Sequence, residues 1–186
     1  DFPFLVTIFA ANRLGAYAVP INWHFKPSEV RYILEDSHSA VLVGHADLLA
    51  PCMSDLPEGL TVIAVAVPDE LRAAYHVDPS LPVKGATDWD TWLAAQTPDT
   101  AAPLPSPGSI IYTSGTTGKP KGVRRTPPTS VQAAAQLQMA KLAYNVAPDV
   151  RSVIPGPMYH SAPLSYYIRT TPGAACQVLM PKFDPI

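Results

Sequence analysis

The order of apolar and polar positions alternates between helical spacing and continuous strand-like runs. Val30, Ile33 and Leu34 keep the i, i+3, i+4 spacing of a half-buried helix. Residues 4–14 are apolar nearly all round and predict a buried helix that ends at Gly15. Apolar runs predict strands at 17–21, 40–44, 61–67, 109–113, 152–155 and 177–180, and further helices are predicted at 46–56, 129–144 and 163–170. This alternation predicts an α/β fold whose mostly parallel sheets are flanked by helices.

Proline is unusually frequent in this sequence. The chain has 22 prolines among 186 residues, more than twice the usual share of about 5%. Four of them fall within residues 97–108, which we interpret as a linker because proline-rich stretches mark loops. The predicted organisation is therefore an α/β segment over 1–96, the linker, and a second α/β segment over 109–186.

Composition and charge exclude several classes of protein. A hydrophobic content of 47% excludes a largely disordered chain, and a net charge of −2 argues against a nucleic-acid partner. Two cysteines are too few for a disulfide framework and lack metal-ligand spacing, which favours a reducing, cytoplasmic setting. No apolar run approaches the ~20 residues that span a bilayer, so no membrane span is predicted.

Residues 113–121, here named the phosphate loop, follow the apolar strand predicted at 109–113. The surrounding sequence, residues 110–123, reads IIYTSGTTGKPKGV, with four hydroxyls in five positions, three glycines and two lysines. Backbone N–H groups, hydroxyl donors and cations are what a polyphosphate requires. A Walker A motif is excluded, because its glycine spacing differs and Lys119 is followed by proline rather than Ser or Thr. The alternative is a flexible surface loop without a ligand.

The sequence of residues 112–123 resembles the signature loop of the adenylate-forming superfamily. This superfamily comprises acyl- and aryl-CoA synthetases, luciferases and the adenylation domains of peptide synthetases. The resemblance implies that the loop wraps the β- and γ-phosphates of ATP. It further implies a catalytic role for the second lysine, which would act on the leaving pyrophosphate. The residues to which it assigns phosphate contact are Thr113, Ser114, Gly115, Thr116, Thr117, Gly118 and Lys121.

Two other stretches are similar to the same superfamily. Residues 13–22 and 29–37 look like its early helix–strand–helix region, and residues 157–162 look like its second core motif. The resemblance implies that Tyr159 and His160 line the acyl pocket and that His160, also a catalytic candidate, orients the substrate carboxylate or gates the pocket. A general-base role is not expected, because a carboxylate is already ionised at neutral pH. Without the resemblance, a structural, hydrogen-bonded histidine is the alternative.

The sequence also departs from the superfamily pattern. After the loop the superfamily commonly continues with Val-x-x-(Thr/Ser)-His, whereas this chain reads VRRTPP from 123 to 128. This leaves the entry of the next helix in question. The magnesium-holding glutamate, the ribose-binding aspartate and the carboxylate-contacting lysine of the superfamily lie further downstream. The expectation is therefore an incomplete piece of the large N-terminal domain, with no metal ligand of its own.

The resemblance implies an ATP-dependent acid–CoA ligase as the parent protein. A carboxylate and ATP would give an acyl-adenylate and pyrophosphate, and CoA would then accept the acyl group. ATP, Mg²⁺ and CoA are the implied cofactors and co-substrates. Partners would be a fatty or aromatic acid and the rest of the polypeptide, and the isolated chain is expected to be inactive. Two alternatives stay open: a peptide-synthetase-type adenylation domain and a non-catalytic nucleotide-binding module. The oligomeric state is also open, a homo-oligomer included.

Overall fold

A computed structural model describes residues 1–77, 82–113, 118–145 and 147–185. The chain divides into two compact units, Asp1–Arg124 and Arg125–Ile186. Helices alternate with strands in both, and the larger sheet is parallel, which confirms the predicted α/β class.

The first unit contains most of the secondary structure. Its elements are α1 (Phe2–Arg13), α2 (Pro27–Asp36), β1 (Val41–His45), α3 (Ala46–Leu49), a 3-10 helix (Ala50–Asp55), β2 (Thr61–Val65), α4 (Asp69–Tyr75), β3 (Thr87–Asp88), α5 (Trp89–Ala94), β4 (Ile111–Thr113) and β5 (Lys121–Val123). The strands β1, β2 and β3 form a parallel sheet in that order, with Val41 opposite Thr61 and Ile63 opposite Thr87.

The core of this unit lies where α2 and the 3-10 helix pack beside the sheet. Val30 and Leu34 of α2 form one buried cluster with Cys52, and Leu49, Val62 and Val83 form another. The i, i+3, i+4 spacing of α2 therefore marks its buried face, as predicted, and Ile33 on that face is fully buried.

Three predicted elements of the first unit differ in the structure. Residues 17–21 form a single parallel bridge between Ala18 and Ser109 rather than a strand; Pro20, which has no N–H, cannot extend a ladder. The helix predicted at 46–56 is divided into α3 and the 3-10 helix, because Pro51 interrupts the α-helical hydrogen bonding. The helix α1 buries only Leu5 and Ile8 rather than its whole circumference.

The proline-rich segment 97–108 runs along the C-terminal end of α1. The Arg13 guanidinium donates to the carbonyl of Ala101 at 2.7 Å, and Leu104 N–H donates to the Arg13 carbonyl at 2.9 Å. Gly108 N–H donates to the Asn12 side chain at 3.0 Å. These contacts tie the segment to the first unit. The division of the chain into 1–96 and 109–186 stays a prediction.

The strands β4 and β5 form an antiparallel hairpin around the phosphate loop. Their Cα partners are Ile111 with Val123, Tyr112 with Gly122, and Thr113 with Lys121. The strand predicted at 109–113 is present as β4 and runs directly into the loop. Its strand partner is the antiparallel segment after the loop, not a parallel neighbour.

The second unit consists of α6 (Ser130–Tyr144), β6 (Arg151–Ile154), α7 (Ser161–Thr170) and β7 (Cys176–Leu179). The strands β6 and β7 are parallel, with Arg151 opposite Cys176 and Ile154 opposite Leu179. Ile154, Leu164 and Ala140 are its buried apolar residues. None of the helices in the described ranges has the length and apolar character needed to cross a bilayer.

Candidate functional site

The hairpin of β4 and β5 brings the two ends of the phosphate loop together. Thr113 ends β4 and Lys121 begins β5, and these two residues face each other as Cα partners. Gly118 has φ of +90°, and a Cβ added there would meet no atom of the described residues within 4 Å. This open, left-handed backbone suits glycine and permits the close approach of a ligand. Four predicted phosphate contacts, Ser114, Gly115, Thr116 and Thr117, lie outside the described residues.

Two lysines follow the loop glycine and differ in their surroundings. The Lys119 ammonium lies 5.0 Å from the centroid of the Tyr32 ring, whereas Lys121 is exposed. No acidic side chain pairs with either lysine in the part of the chain that the structure describes. Lys121 is therefore a cation available to balance the negative charge of a phosphate.

Gly122 makes a close cross-strand contact with Tyr112. A Cβ at position 122 would lie 2.9 Å from Tyr112 Cζ and 3.0 Å from Ile110 Cγ2. The aromatic ring thus covers the glycine backbone on one face of the hairpin. This packing explains why the second strand has a glycine directly after Lys121.

The helix α2 holds the hairpin through two tyrosine hydroxyls. Tyr112 donates to Asp36 Oδ2 at 2.6 Å, and Tyr32 donates to the carbonyl of Pro120 at 3.2 Å. Burial raises the pKa of Tyr112 above its usual value, and the hydrogen bond to the Asp36 carboxylate and its charge raise it further. Tyr112 is therefore a neutral donor at physiological pH.

Sequence reasoning missed Tyr32 and Asp36 as neighbours of the loop. Both lie on α2, far from the loop in sequence, and neither belongs to the motif that identifies it. Their four-residue separation could have indicated that they share one helical face. That spacing does not reveal which other segment of the chain the face contacts.

A further cation lies just after the hairpin. The Arg124 guanidinium carbon is 4.6 Å from the centroid of the Tyr17 ring, a distance typical of a cation–π contact. The ring holds this arginine against the segment between α1 and α2. This contact lies in the stretch where the sequence departs from the superfamily pattern.

The predicted pocket residues lie in the second unit. Tyr159 and His160 immediately precede α7, with ring centroids 4.3 Å apart. The His160 ring is exposed and makes no side-chain hydrogen bond to any described residue, while its carbonyl accepts from Leu164 N–H. Both the pocket role and the structural alternative for this histidine stay predictions. Its imidazole is available to a ligand.

Two further observations on the described residues bear on the site. A cavity of about 190 Å³ in the second unit is lined by Leu137, Lys141, Arg169, Pro172 and Gly173, and it includes neither Tyr159 nor His160. Across the described ranges, no three His, Cys, Asp or Glu side chains converge where they could hold a metal ion. The hairpin residues fit a phosphate group: among the described residues, nothing crowds the backbone at Gly118 and no acidic side chain pairs with Lys121.

Comparison with known proteins identifies the family to which this chain belongs. The family described as AMP-binding enzyme matches residues 2–185. The long-chain-fatty-acid–CoA ligase FadD13 of Mycobacterium tuberculosis is 34% identical over 189 residues, covering 97% of this chain and 33% of that protein. The indoleacetate–CoA ligase of Aromatoleum aromaticum is 32% identical over 199 residues, with 97% and 33% coverage. The chain thus spans about a third of the length of these curated relatives.

The solved structures agree on the fold. The crystal structure of the anthranilate–CoA ligase AuaEII in complex with anthranoyl-AMP superimposes with a TM-score of 0.72 at 23% identity, covering 97% of this chain and 33% of that one. At this identity the likeness concerns the fold alone. Because the family match extends over nearly the whole sequence, including the phosphate loop, the chain belongs to the AMP-binding enzyme family.

Proposed function

We propose that the full-length protein is an ATP-dependent acid–CoA ligase. The observation that carries the proposal is the hairpin, in which Lys121, exposed and with no acidic partner among residues 1–77, 82–113, 118–145 and 147–185, stands opposite Thr113 at the two ends of the phosphate loop. Relatives at 34% and 32% identity are named as CoA ligases, which supports this reaction class. The proposal covers the whole protein, of which this chain would supply the ATP phosphate loop and part of the acyl pocket.

In the first half-reaction, a substrate carboxylate oxygen attacks the α-phosphorus of ATP. The bond from that phosphorus to the bridging oxygen breaks, and pyrophosphate leaves with the electron pair. Negative charge grows on the leaving group, so a cation positioned there stabilises the transition state more than the ground state. Lys121 would supply this charge, with hydroxyl and backbone donors of Thr113, Ser114, Gly115, Thr116, Thr117 and Gly118 holding the β- and γ-phosphates.

In the second half-reaction, the CoA thiol attacks the acyl carbonyl and AMP leaves. Mg²⁺, which would neutralise phosphate charge in the first step, would be held by residues outside this chain. The chain's own task is then to bind and orient the phosphates. Positioning of this kind accounts for much of the catalysis in phosphate chemistry.

His160 would orient the substrate carboxylate. Its exposed imidazole beside the Tyr159 ring can donate a hydrogen bond to a carboxylate oxygen. Met158 and Tyr159 give this region an apolar character that favours a fatty or aromatic acid. The relatives named for a long-chain fatty acid and for indoleacetate agree with that substrate class.

The proposal also covers the cellular location of the protein and the activity of the isolated chain. We propose a cytoplasmic location, where the two cysteines, Cys52 and Cys176, would stay reduced. The isolated 186-residue chain would bind phosphates without turning over, because the remaining groups of the active site must be held with it in near-attack geometry.

The test is isotopic pyrophosphate–ATP exchange by the full-length protein with fatty, aromatic and amino acids, followed by thioester assays. Exchange with fatty or aromatic acids and thioester formation with CoA would support the proposal. Exchange with amino acids and transfer to a carrier protein would instead identify a peptide-synthetase adenylation domain. Nucleotide binding without exchange, for every acid tested, would identify a non-catalytic module.

A further inference from the structure

One face of α2 contacts both ends of the phosphate loop. Tyr32 and Asp36 are four residues apart and therefore lie one above the other on the helix. Asp36 accepts from Tyr112 at 2.6 Å, on the strand that enters the loop. Tyr32 donates to the Pro120 carbonyl at 3.2 Å, on the segment that leaves it. A single helical turn therefore fixes the entry and the exit of the loop.

Tyr32 makes a second contact with the same exit segment. The Lys119 ammonium lies 5.0 Å from the centroid of its ring, within the ~6 Å over which a cation is attracted to an aromatic face. The hydroxyl and the ring of one side chain thus hold two consecutive residues, the carbonyl of Pro120 and the charge of Lys119. Lys121, the proposed catalytic cation, follows directly after them.

The helix that carries Tyr32 is a rigid support. Its other face buries Val30, Ile33 and Leu34, with exposed fractions of 8%, 0% and 3%. Two of these residues belong to a core cluster with Cys52. A side chain on such a helix can hold a loop more firmly than another loop could, because its backbone is fixed by packing.

We propose that Tyr32 is a positioning residue for ATP binding: it holds Lys119 and Pro120, and so fixes the segment through which the phosphate loop continues into β5. The inference rests on the proposed function and adds to it a residue outside the loop motif. Fixing the ends of a glycine-rich loop lowers the entropy that ATP binding must overcome. The contribution of Tyr32 is therefore to ATP binding rather than to binding of the acid.

The test compares Tyr32→Leu and Tyr32→Phe in the full-length enzyme by pyrophosphate–ATP exchange. The leucine variant loses both contacts. We expect its KM for ATP to rise about tenfold, because the fold-changes from losing one hydrogen bond and one cation–π contact multiply. The phenylalanine variant keeps the ring, so its KM should rise by a smaller factor. The KM for the acid and kcat should stay within about twofold of wild type, a split that general loss of structure would not produce.

A double-mutant cycle with Lys119 isolates the ring contact. Lys119→Met should raise the KM for ATP about two- to fivefold more when Tyr32 is present than in the Tyr32→Leu background. Lys119→Arg retains a cation over the ring, so its KM for ATP should stay closer to the wild-type value than that of Lys119→Met. The matched control is Arg31→Leu, one residue away on α2, where the side chain pairs with Glu35 on the solvent-exposed face.

Hydrogen exchange gives a readout that does not need activity. Amides of residues 109–123 should exchange faster in Tyr32→Leu than in Arg31→Leu or wild type. An unchanged KM for ATP in an active enzyme, or equal rises in the KM for ATP and for the acid, would overturn the inference. If wild type catalyses no exchange with any acid, the proposed function fails separately. In that case the hydrogen-exchange rates of the hairpin amides test the positioning role, and equal rates in the Tyr32 and Arg31 variants overturn it.

Discussion

Replacing Gly122 by alanine tests the packing of the hairpin at its tightest point. The added methyl would lie 2.9 Å from Tyr112 Cζ and 3.0 Å from Ile110 Cγ2. Neither neighbour can move freely, because Asp36 holds the Tyr112 hydroxyl and Ile110 is 9% exposed. The methyl must therefore displace the ring, which breaks its hydrogen bond, or separate the strands.

The magnitude follows from two opposing effects. Overpacking of this kind costs about 1–3 kcal/mol, while alanine regains about 0.5–1 kcal/mol over glycine within a strand. The net result is a destabilisation of about 1 kcal/mol that acts locally on the hairpin. Since each 1.4 kcal/mol changes an equilibrium about tenfold, the local opening constant should rise about fivefold.

The assay is amide hydrogen exchange measured by mass spectrometry on the full-length protein. Peptides from residues 109–123 should exchange about fivefold faster in Gly122→Ala, while β1 and β2 should be unchanged. Tyr112→Ala removes the ring atom nearest to the new methyl, so the effect of Gly122→Ala should be smaller in that background. Gly59→Ala is the control, since its Cβ would enter open space and, at a φ of +77°, strain only its own turn. Unchanged exchange in the hairpin, or an equal effect without the Tyr112 ring, would refute the packing argument.

Further outcomes concern charge, protonation and the isolated chain. Lys121→Ala should lower the rate of pyrophosphate exchange about a hundred- to a thousandfold with little change in acid binding. The control, Lys84→Ala at an exposed lysine of the same unit, should retain the wild-type rate. Equal rates in both variants would show that Lys121 is an ordinary surface lysine. Because the folded state raises the pKa of Tyr112, its contribution to stability is complete below about pH 10 and is lost as the pH rises toward the folded-state pKa. In a tyrosine-labelled NMR titration its signal should move later than the others, and earlier in Asp36→Asn; a signal that moves with the rest contradicts the burial argument. The isolated chain should bind ATP no more tightly than about millimolar by equilibrium dialysis and show no exchange, and exchange above background with any acid would contradict the proposed inactivity.

Local patterns in the sequence predicted much of the fold. The spacing of Val30, Ile33 and Leu34 identified the buried face of α2, and apolar runs located the strands that became β1, β2, β6 and β7. These signals are reliable because burial on one face leaves a periodic trace in the sequence. The short elements α4, β3 and α5 were not predicted, since two to seven residues hold too little periodicity.

The phosphate loop and the family were likewise recoverable from the sequence, because the contiguous motif at 112–123 carries both. Thr113 and Lys121 stand at the ends of the two hairpin strands and Gly118 lies between them, while the roles of all the predicted site residues stay predictions. The side-chain surroundings of Lys119, Lys121 and His160 could not be predicted. No periodicity records whether a surface lysine finds a carboxylate, an aromatic ring or only water.

What the sequence determined by itself was thus contiguous: helices with one buried face, apolar strands, and a loop whose glycines, hydroxyls and lysines suit a phosphate. The tertiary structure decided which segments meet. The contact between Tyr112 and Asp36 joins residues 76 positions apart, and that between Tyr32 and Pro120 joins residues 88 apart. Both depend on the orientation of α2, whose opposite face packs into the core with Cys52. Local sequence does not encode that orientation, because the same helical face could meet any surface of matching shape and polarity.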